Sequence, residues 1–201
     1  EYDIRELFED VLKGKKPLSA WAEALNGQET RYPANYDKLR FLENHDTERI
    51  ASFVHDPKAL AVFTALSFYL KGTTLIYGGQ EIGSALRPSL FDKDTVLWDW
   101  RRAELDGRDL SNLMARMSKI AHEVLGGDDT FQAAADDEQG IMVCRRDGLH
   151  PTLGIFPLRG RDAEAAVDLP DGTYQNLVTG QPVTVSDGTV SLPGCACIIE
   201  R

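Results

Sequence analysis

The chain has 201 residues, 42% of them hydrophobic and 27% charged, as in a folded globular protein with a core of its own. Its formal charge of −10, with a pI near 4.9, argues against a nucleic-acid backbone or an anionic membrane surface as partner, because either needs clustered Lys and Arg. No apolar run approaches the ~20 residues that span a bilayer, and no basic stretch followed by an apolar signal core opens the sequence.

The sequence begins at Glu1. In "YDIRELFEDVL", Ile4, Leu7, Phe8, Val11 and Leu12 share one helical face, with Asp3 at the N-cap position. A chain that starts almost inside a helix reads as part of a longer protein. "PLSAWAEALNG" predicts a second, shorter helix with Leu18, Trp21, Ala22 and Leu25 on its face, stopped by Asn26-Gly27. "QETRYPANYDK" reads as polar linker, and "LRFLEN" as the first strand. After it, "SFVHDPKALAVFTALSFYLKG" predicts a helix capped by Asp56, with Pro57 in its first turn and an exit at Lys71-Gly72. "TTLIYGG" has the β-branched, aromatic make-up of a buried parallel strand.

The segment "RPSLFDKDTVLWDWRRAELDGRD" reads as a long loop whose aromatics favour a functional role. From Leu110, "LSNLMARMSKIAHEVLGG" is helical, with Leu113, Met117, Ile120, Ala121, Val124 and Leu125 along one face. Beyond about Asp128 the period falls to 2. "QGIMVCRRDG", "LGIFPLRG", "EAAVDLPDG" and "YQNLVTGQPVTVSDGTVSLPGCACIIE" read as short strands joined by Asp-Gly, Thr-Gly and Arg-Gly turns. Two regions follow: an α/β region over 1–127 and an antiparallel β domain over 128–201. Cys144, Cys195 and Cys197 have no metal-ligand spacing and read as reduced thiols, which suits a cytoplasmic protein.

In parallel α/β structures, ligands meet the C-terminal ends of strands. Asn44, His45 and Asp46 follow the first strand; Tyr77, Gln80 and Glu81 follow the second. Together an amide, an imidazole and a carboxylate match sugar hydroxyls, and Asp46 is suited to stabilising an oxocarbenium-like transition state. Taken alone, the same run is more often the sequence of a helix cap or turn. A metal or phosphate site finds little support: His55, His122 and His150 are scattered, and "YGGQEIG" lacks the Lys-Ser/Thr of a phosphate loop.

"FLENHDTERI" resembles the last motif region of glycoside hydrolase family 13, the α-amylase family, in which strand seven runs into Asn-His-Asp. "GTTLIYGGQEIG" is similar to that family's strand eight and the loop after it, and "DGTYQNLVTGQPVTV" to its small C-terminal domain. The resemblance implies the last two strand-helix units of a (β/α)8 barrel, followed by a small antiparallel β-sandwich. It casts Asp46 as the carboxylate that binds and stabilises the sugar at the cleaved bond. His45 contacts the same sugar, and Asn44 completes the substrate-binding trio, chiefly by holding the loop in shape. Tyr77 and Glu81 are further candidates in a loop that is mainly structural in the family, and Arg49 is expected to pair with a neighbouring carboxylate. Trp98 and Trp100 are expected to pack on the β domain in preference to stacking on sugar.

The resemblance implies a retaining hydrolase or transglycosylase acting on α-glucans or maltooligosaccharides. The family's nucleophile and acid/base lie on strands four and five, which have no counterpart here, so this chain alone is expected to be inactive. Its partners would be the glucan and the preceding barrel portion of the same protein. Exposed strand edges favour self-association of the isolated piece. No cofactor is expected, and no metal, since calcium in the family sits largely in an inserted domain with no match here. A non-catalytic carbohydrate-binding module is the alternative.

Overall fold

A computed structural model describes all 201 residues. The chain runs through α1 (Tyr2–Leu12), α2 (Leu18–Arg31), β1 (Leu39–Arg40), α3 (Ile50–Phe53), α4 (Pro57–Tyr69), β2 (Thr73–Thr74), α5 (Trp100–Leu105) and α6 (Ser111–Glu123). Eight antiparallel strands follow: β3 (Thr130–Asp136), β4 (Ile141–Asp147), β5 (Thr152–Pro157), β6 (Asp162–Ala166), β7 (Gly172–Gln175), β8 (Pro182–Ser186), β9 (Thr189–Pro193) and β10 (Cys197–Glu200).

β1 and β2 pair in parallel, Leu39 opposite Thr73 and Arg40 opposite Thr74. The pairing is brief and close. Gly72, at φ +134°, lies where a Cβ would stand 2.1 Å from the Lys38 carbonyl, so only glycine lets the second strand approach the first. The expected bare edge on the far side of β1 is occupied. The Phe41 N–H donates to the Glu1 carboxylate at 3.0 Å. Arg5 reaches the Leu42 carbonyl at 2.7 Å while lying over the Phe41 ring. The side chains of Glu1, just ahead of α1, and Arg5, within it, thus satisfy backbone groups that would otherwise invite strand addition.

Helix ends differ from expectation in two places. Asp3 does not cap α1; it lies in the first turn, accepting from Gln28 at 2.9 Å and pairing with Lys38 at 3.1 Å. Asn26-Gly27 does not end α2, which continues to Arg31. There the Asn26 amide serves as a strand partner: it donates to the Ala133 carbonyl at 2.8 Å and accepts from the Ala133 N–H at 2.7 Å. This docks α2 on the free edge of β3, a strand the period-2 reading missed. α4 begins as expected, with Asp56 accepting from the Ala59 N–H at 2.9 Å and Pro57 in the first turn. α3 is a separate short turn ahead of it.

The eight later strands form a β-sandwich of two four-stranded sheets, ordered β10-β5-β4-β3 and β6-β9-β8-β7. Alternation sorts the first sheet's side chains. Phe131, Ala133, Met142, Cys144, Phe156 and Ile198 face the helices, in one core with Trp21, Leu60, Leu66, Tyr69 and Met117. Ile141, Leu153, Ile155, Cys197 and Ile199 face the second sheet, against Ala165, Val185, Val190 and Leu192. The hairpin between β8 and β9 turns on Asp187-Gly188, both at positive φ (51° and 68°), the twist two-residue hairpins prefer. Arg146 of β4 fastens the first sheet to the helices: it pairs with Asp129 at 3.1 Å and donates to the Tyr69 carbonyl at the end of α4.

All three cysteines are free. Burial pushes the Cys144 thiol up strongly, and burial with Cys195 nearby pushes Cys197 up to about 12; burial raises Cys195 too, but this thiol, just before β10, is only partly buried. A native thiol titration is therefore expected to count one reactive group per chain, Cys195, and three after unfolding. Rapid native labelling of Cys144 or Cys197 would contradict this core.

Candidate active site

After β1 the backbone carries Phe41, Leu42 and Glu43 into the interior and then turns at Asn44. The Asn44 carboxamide makes the turn: its Oδ1 accepts from the Asp46 N–H at 2.9 Å, while the Asn44 N–H donates to the Thr47 hydroxyl at 2.9 Å. His45 and Asp46 therefore stand at the apex, both exposed, with Nε2 of His45 3.4 Å from Oδ1 of Asp46. Oδ2 of Asp46 accepts from the Tyr2 hydroxyl at 2.8 Å, and that hydroxyl accepts from the Asn44 amide at 2.9 Å.

Beneath the corner lies a buried ion pair. Arg49 meets Glu43 at 2.6 Å, the side chains 1% and 0% exposed, and Glu43 also accepts from the Ile50 N–H at 2.7 Å. The same guanidinium donates to the Gly78 carbonyl at 2.9 Å and the Leu86 carbonyl at 3.2 Å, and lies 4.5 Å over the Tyr77 ring. Arg49 thus ties the loop after β1 to the loop after β2. A second link runs outside: Arg87 donates to the Asp46 carbonyl at 2.9 Å and pairs with Glu48 at 3.2 Å.

Asn44, His45 and Asp46 are brought together. Tyr77 lies under Arg49, and its N–H donates to buried Gln80 at 3.3 Å. Glu81 turns back on its own loop, accepting from the Gly79 N–H at 2.8 Å, and forms no bond to the Asn-His-Asp corner. Gly79 sits at φ +94°, with a Cβ there only 2.9 Å from Val96, so this loop requires glycine. Trp98 and Trp100, expected to pack on the β domain, belong to neither of the buried hydrophobic clusters. They stack on each other, centroids 6.0 Å apart, and stay about half-exposed on a segment that also displays Leu86, Leu90, Phe91, Leu97 and Leu105. Tyr2 and Arg87 were not anticipated: nothing in a tyrosine at a helix start, or an arginine in a long loop, announces a contact with Asp46 more than forty positions away.

The corner offers acceptors and a carboxylate to a polyhydroxylated ligand. No group of three or more His, Cys, Asp or Glu side chains is arranged to hold a metal ion. A groove of about 970 Å³ lies elsewhere, between α4, α6 and the segments Leu177–Thr179 and Pro193–Ala196.

Parallel strands with polar side chains past their C-terminal ends, helices packed outside and a sandwich appended define the end of an α/β-barrel domain joined to a β domain. Residues 10–132 match the family model "Alpha amylase, catalytic domain", and residues 132–199 match "Bacterial Alpha amylase C-terminal domain". The chain belongs to the α-amylase family, of which it holds the catalytic-domain end and the C-terminal domain. A solved α-amylase from Lactobacillus plantarum superposes with TM-score 0.87 at 31% identity, over 100% of this chain and 47% of that one. A maltogenic α-amylase from Thermotoga neapolitana superposes at 0.80 with 20% identity, over 100% of this chain and 49% of that one, a likeness of fold. Alpha-amylase 2 of Dictyoglomus thermophilum is 22% identical over 195 residues, 92% of this chain and 34% of that protein. The chain thus spans a third to a half of the length of these relatives.

Proposed function

We propose that the chain supplies the sugar-gripping part of the active site of a retaining α-glucan hydrolase or transglycosylase. The observation that carries this reading is the Asn44–Asp46 corner, at the C-terminal end of a parallel strand in a chain of the α-amylase family. Asp46 presents Oδ1 toward His45 and solvent while Oδ2 is held by Tyr2, so one oxygen is positioned and the other faces a ligand. In this reading Asp46 binds hydroxyls of the sugar at the cleaved bond and stabilises its positively charged transition state, and His45 contacts the same ring. Asn44 shapes the loop. Tyr77, Gln80 and Glu81 brace the neighbouring loop, each engaged with Arg49 or with its own turn.

Bond cleavage with retention needs a nucleophile and an acid/base about 5–5.5 Å apart, and the family resemblance assigns neither role to a residue of this chain. These groups come from earlier strands of the complete enzyme. The proposed substrate class is supported by the proteins this chain resembles, α-amylases and, over 94 residues, a probable oligo-1,6-glucosidase of Bacillus subtilis at 33% identity, covering 43% of this chain and 16% of that protein. The test is turnover of maltooligosaccharides. The 201-residue chain is expected to release no reducing sugar, and the longer gene product that contains it to do so. Hydrolysis by the chain alone would overturn the division of labour. Glucan binding without turnover by the longer product would favour a non-catalytic carbohydrate-binding protein.

A further inference from the structure

We infer that Tyr2 is a positioning residue for the reaction: its hydroxyl fixes the rotamer of Asp46 and leaves Oδ1 as the oxygen that meets the sugar. The inference rests on the reading of Asp46 given above. The hydroxyl donates to Oδ2 of Asp46 at 2.8 Å and accepts from the Asn44 amide at 2.9 Å, while Oδ1 of the same Asn44 accepts from the Asp46 N–H at 2.9 Å. Three residues close a ring of hydrogen bonds in which each orients the next. A hydroxyl has one hydrogen, so the amide donating to its oxygen directs that hydrogen toward the carboxylate.

The ring matters because Asp46 is otherwise unconstrained. Its side chain is about half-exposed, and its remaining contact, His45 at 3.4 Å, is itself on the surface. An exposed carboxylate samples its χ torsions freely, and a group that must meet a transition state within about half an ångström loses rate when it does. Tyr2 is itself well placed. It opens α1, whose Ile4 and Phe8 are buried in the core, and its ring lies 5.4 Å from that of Phe41 at the foot of the loop it controls.

Tyr2→Phe removes the hydroxyl and keeps the ring on Phe41. Made in the longer enzyme, it is expected to lower kcat on a maltooligosaccharide about tenfold with KM within about twofold, because positioning is felt in the transition state more than in substrate binding. The melting temperature should be unchanged. Tyr2→Ala, which loses ring and hydroxyl, should lower kcat at least as far and the melting temperature as well. A Tyr2→Phe enzyme with wild-type kcat, beside an inactive Asp46→Asn, would overturn the positioning role alone. Undiminished activity in Asp46→Asn would instead remove the reading of Asp46 on which it rests.

Discussion

Arg49→Ala is expected to be the most destabilising single substitution in the catalytic-domain part of this chain, costing about 3–5 kcal/mol. The pair it breaks is almost fully dry, with side chains 1% and 0% exposed and a 2.6 Å contact. Removal of the guanidinium leaves the Glu43 carboxylate with the Ile50 N–H as its remaining partner, and strips donors from the Gly78 and Leu86 carbonyls. The cost is therefore that of an uncompensated buried charge together with two lost backbone ties. For a domain of this size the melting temperature should fall on the order of 10 °C.

The loss should also depend on pH. Burial raises the Glu43 carboxyl above its usual range even in the wild type, against the opposing pull of Arg49 and the Ile50 N–H. A carboxyl whose folded pKa lies above its unfolded value contributes stability below the unfolded pKa and loses it as pH rises through the folded one. Without Arg49 that pKa climbs further, so the deficit of the variant should be smaller near pH 5 than at pH 8. Urea unfolding of both proteins at the two pH values measures it. A deficit below about 1 kcal/mol, the range of exposed pairs, would mean the pair is not dry.

The distance over which each constraint acts decides what could be read before the fold was known. α1 and α6 follow from i, i+3, i+4 spacing, α4 from its Asp56-Pro57 start and broad apolar surface, and the β8–β9 hairpin from Asp187-Gly188, because those signals are local. The Asn44-His45-Asp46 corner was visible as a polar run behind an apolar strand, and Arg49 as the partner of a nearby carboxylate. Asn26 misled because the competing partner, the Ala133 backbone, is 107 positions away. β3 was missed because its "AAAD" lacks the β-branched residues that mark strands, and part of its support comes from α2. β1 and β2 are only two residues long each, since the extent of a strand is set by its neighbours and not by its own sequence. Trp98 and Trp100, two positions apart, stack on each other, a pairing that their spacing did not announce.

In the enzyme containing this chain, Asp46→Asn is expected to lower kcat by at least about 10³-fold, in line with loss of a preorganised group facing transition-state charge. The change exchanges one oxygen for an amide of nearly the same shape, and the amide oxygen still offers Tyr2 an acceptor. The side chain is about half-exposed and its contacts with Tyr2 and His45 lie at the surface, so melting should shift by no more than about 1 °C. Substrate affinity should fall less than rate, because an amide still bonds sugar hydroxyls but supplies no negative charge to an oxocarbenium-like carbon. A deep loss of kcat with stability intact, set against the opposite pattern in Arg49→Ala, separates the residue that acts on the sugar from the one that holds the loop. The two stand three positions apart in sequence, yet one is dry and paired in the interior and the other half-exposed, with its Oδ1 touched only by the surface imidazole of His45. Equal losses of stability in both variants would show that the corner is a single structural unit, and the chemical role of Asp46 would then fall.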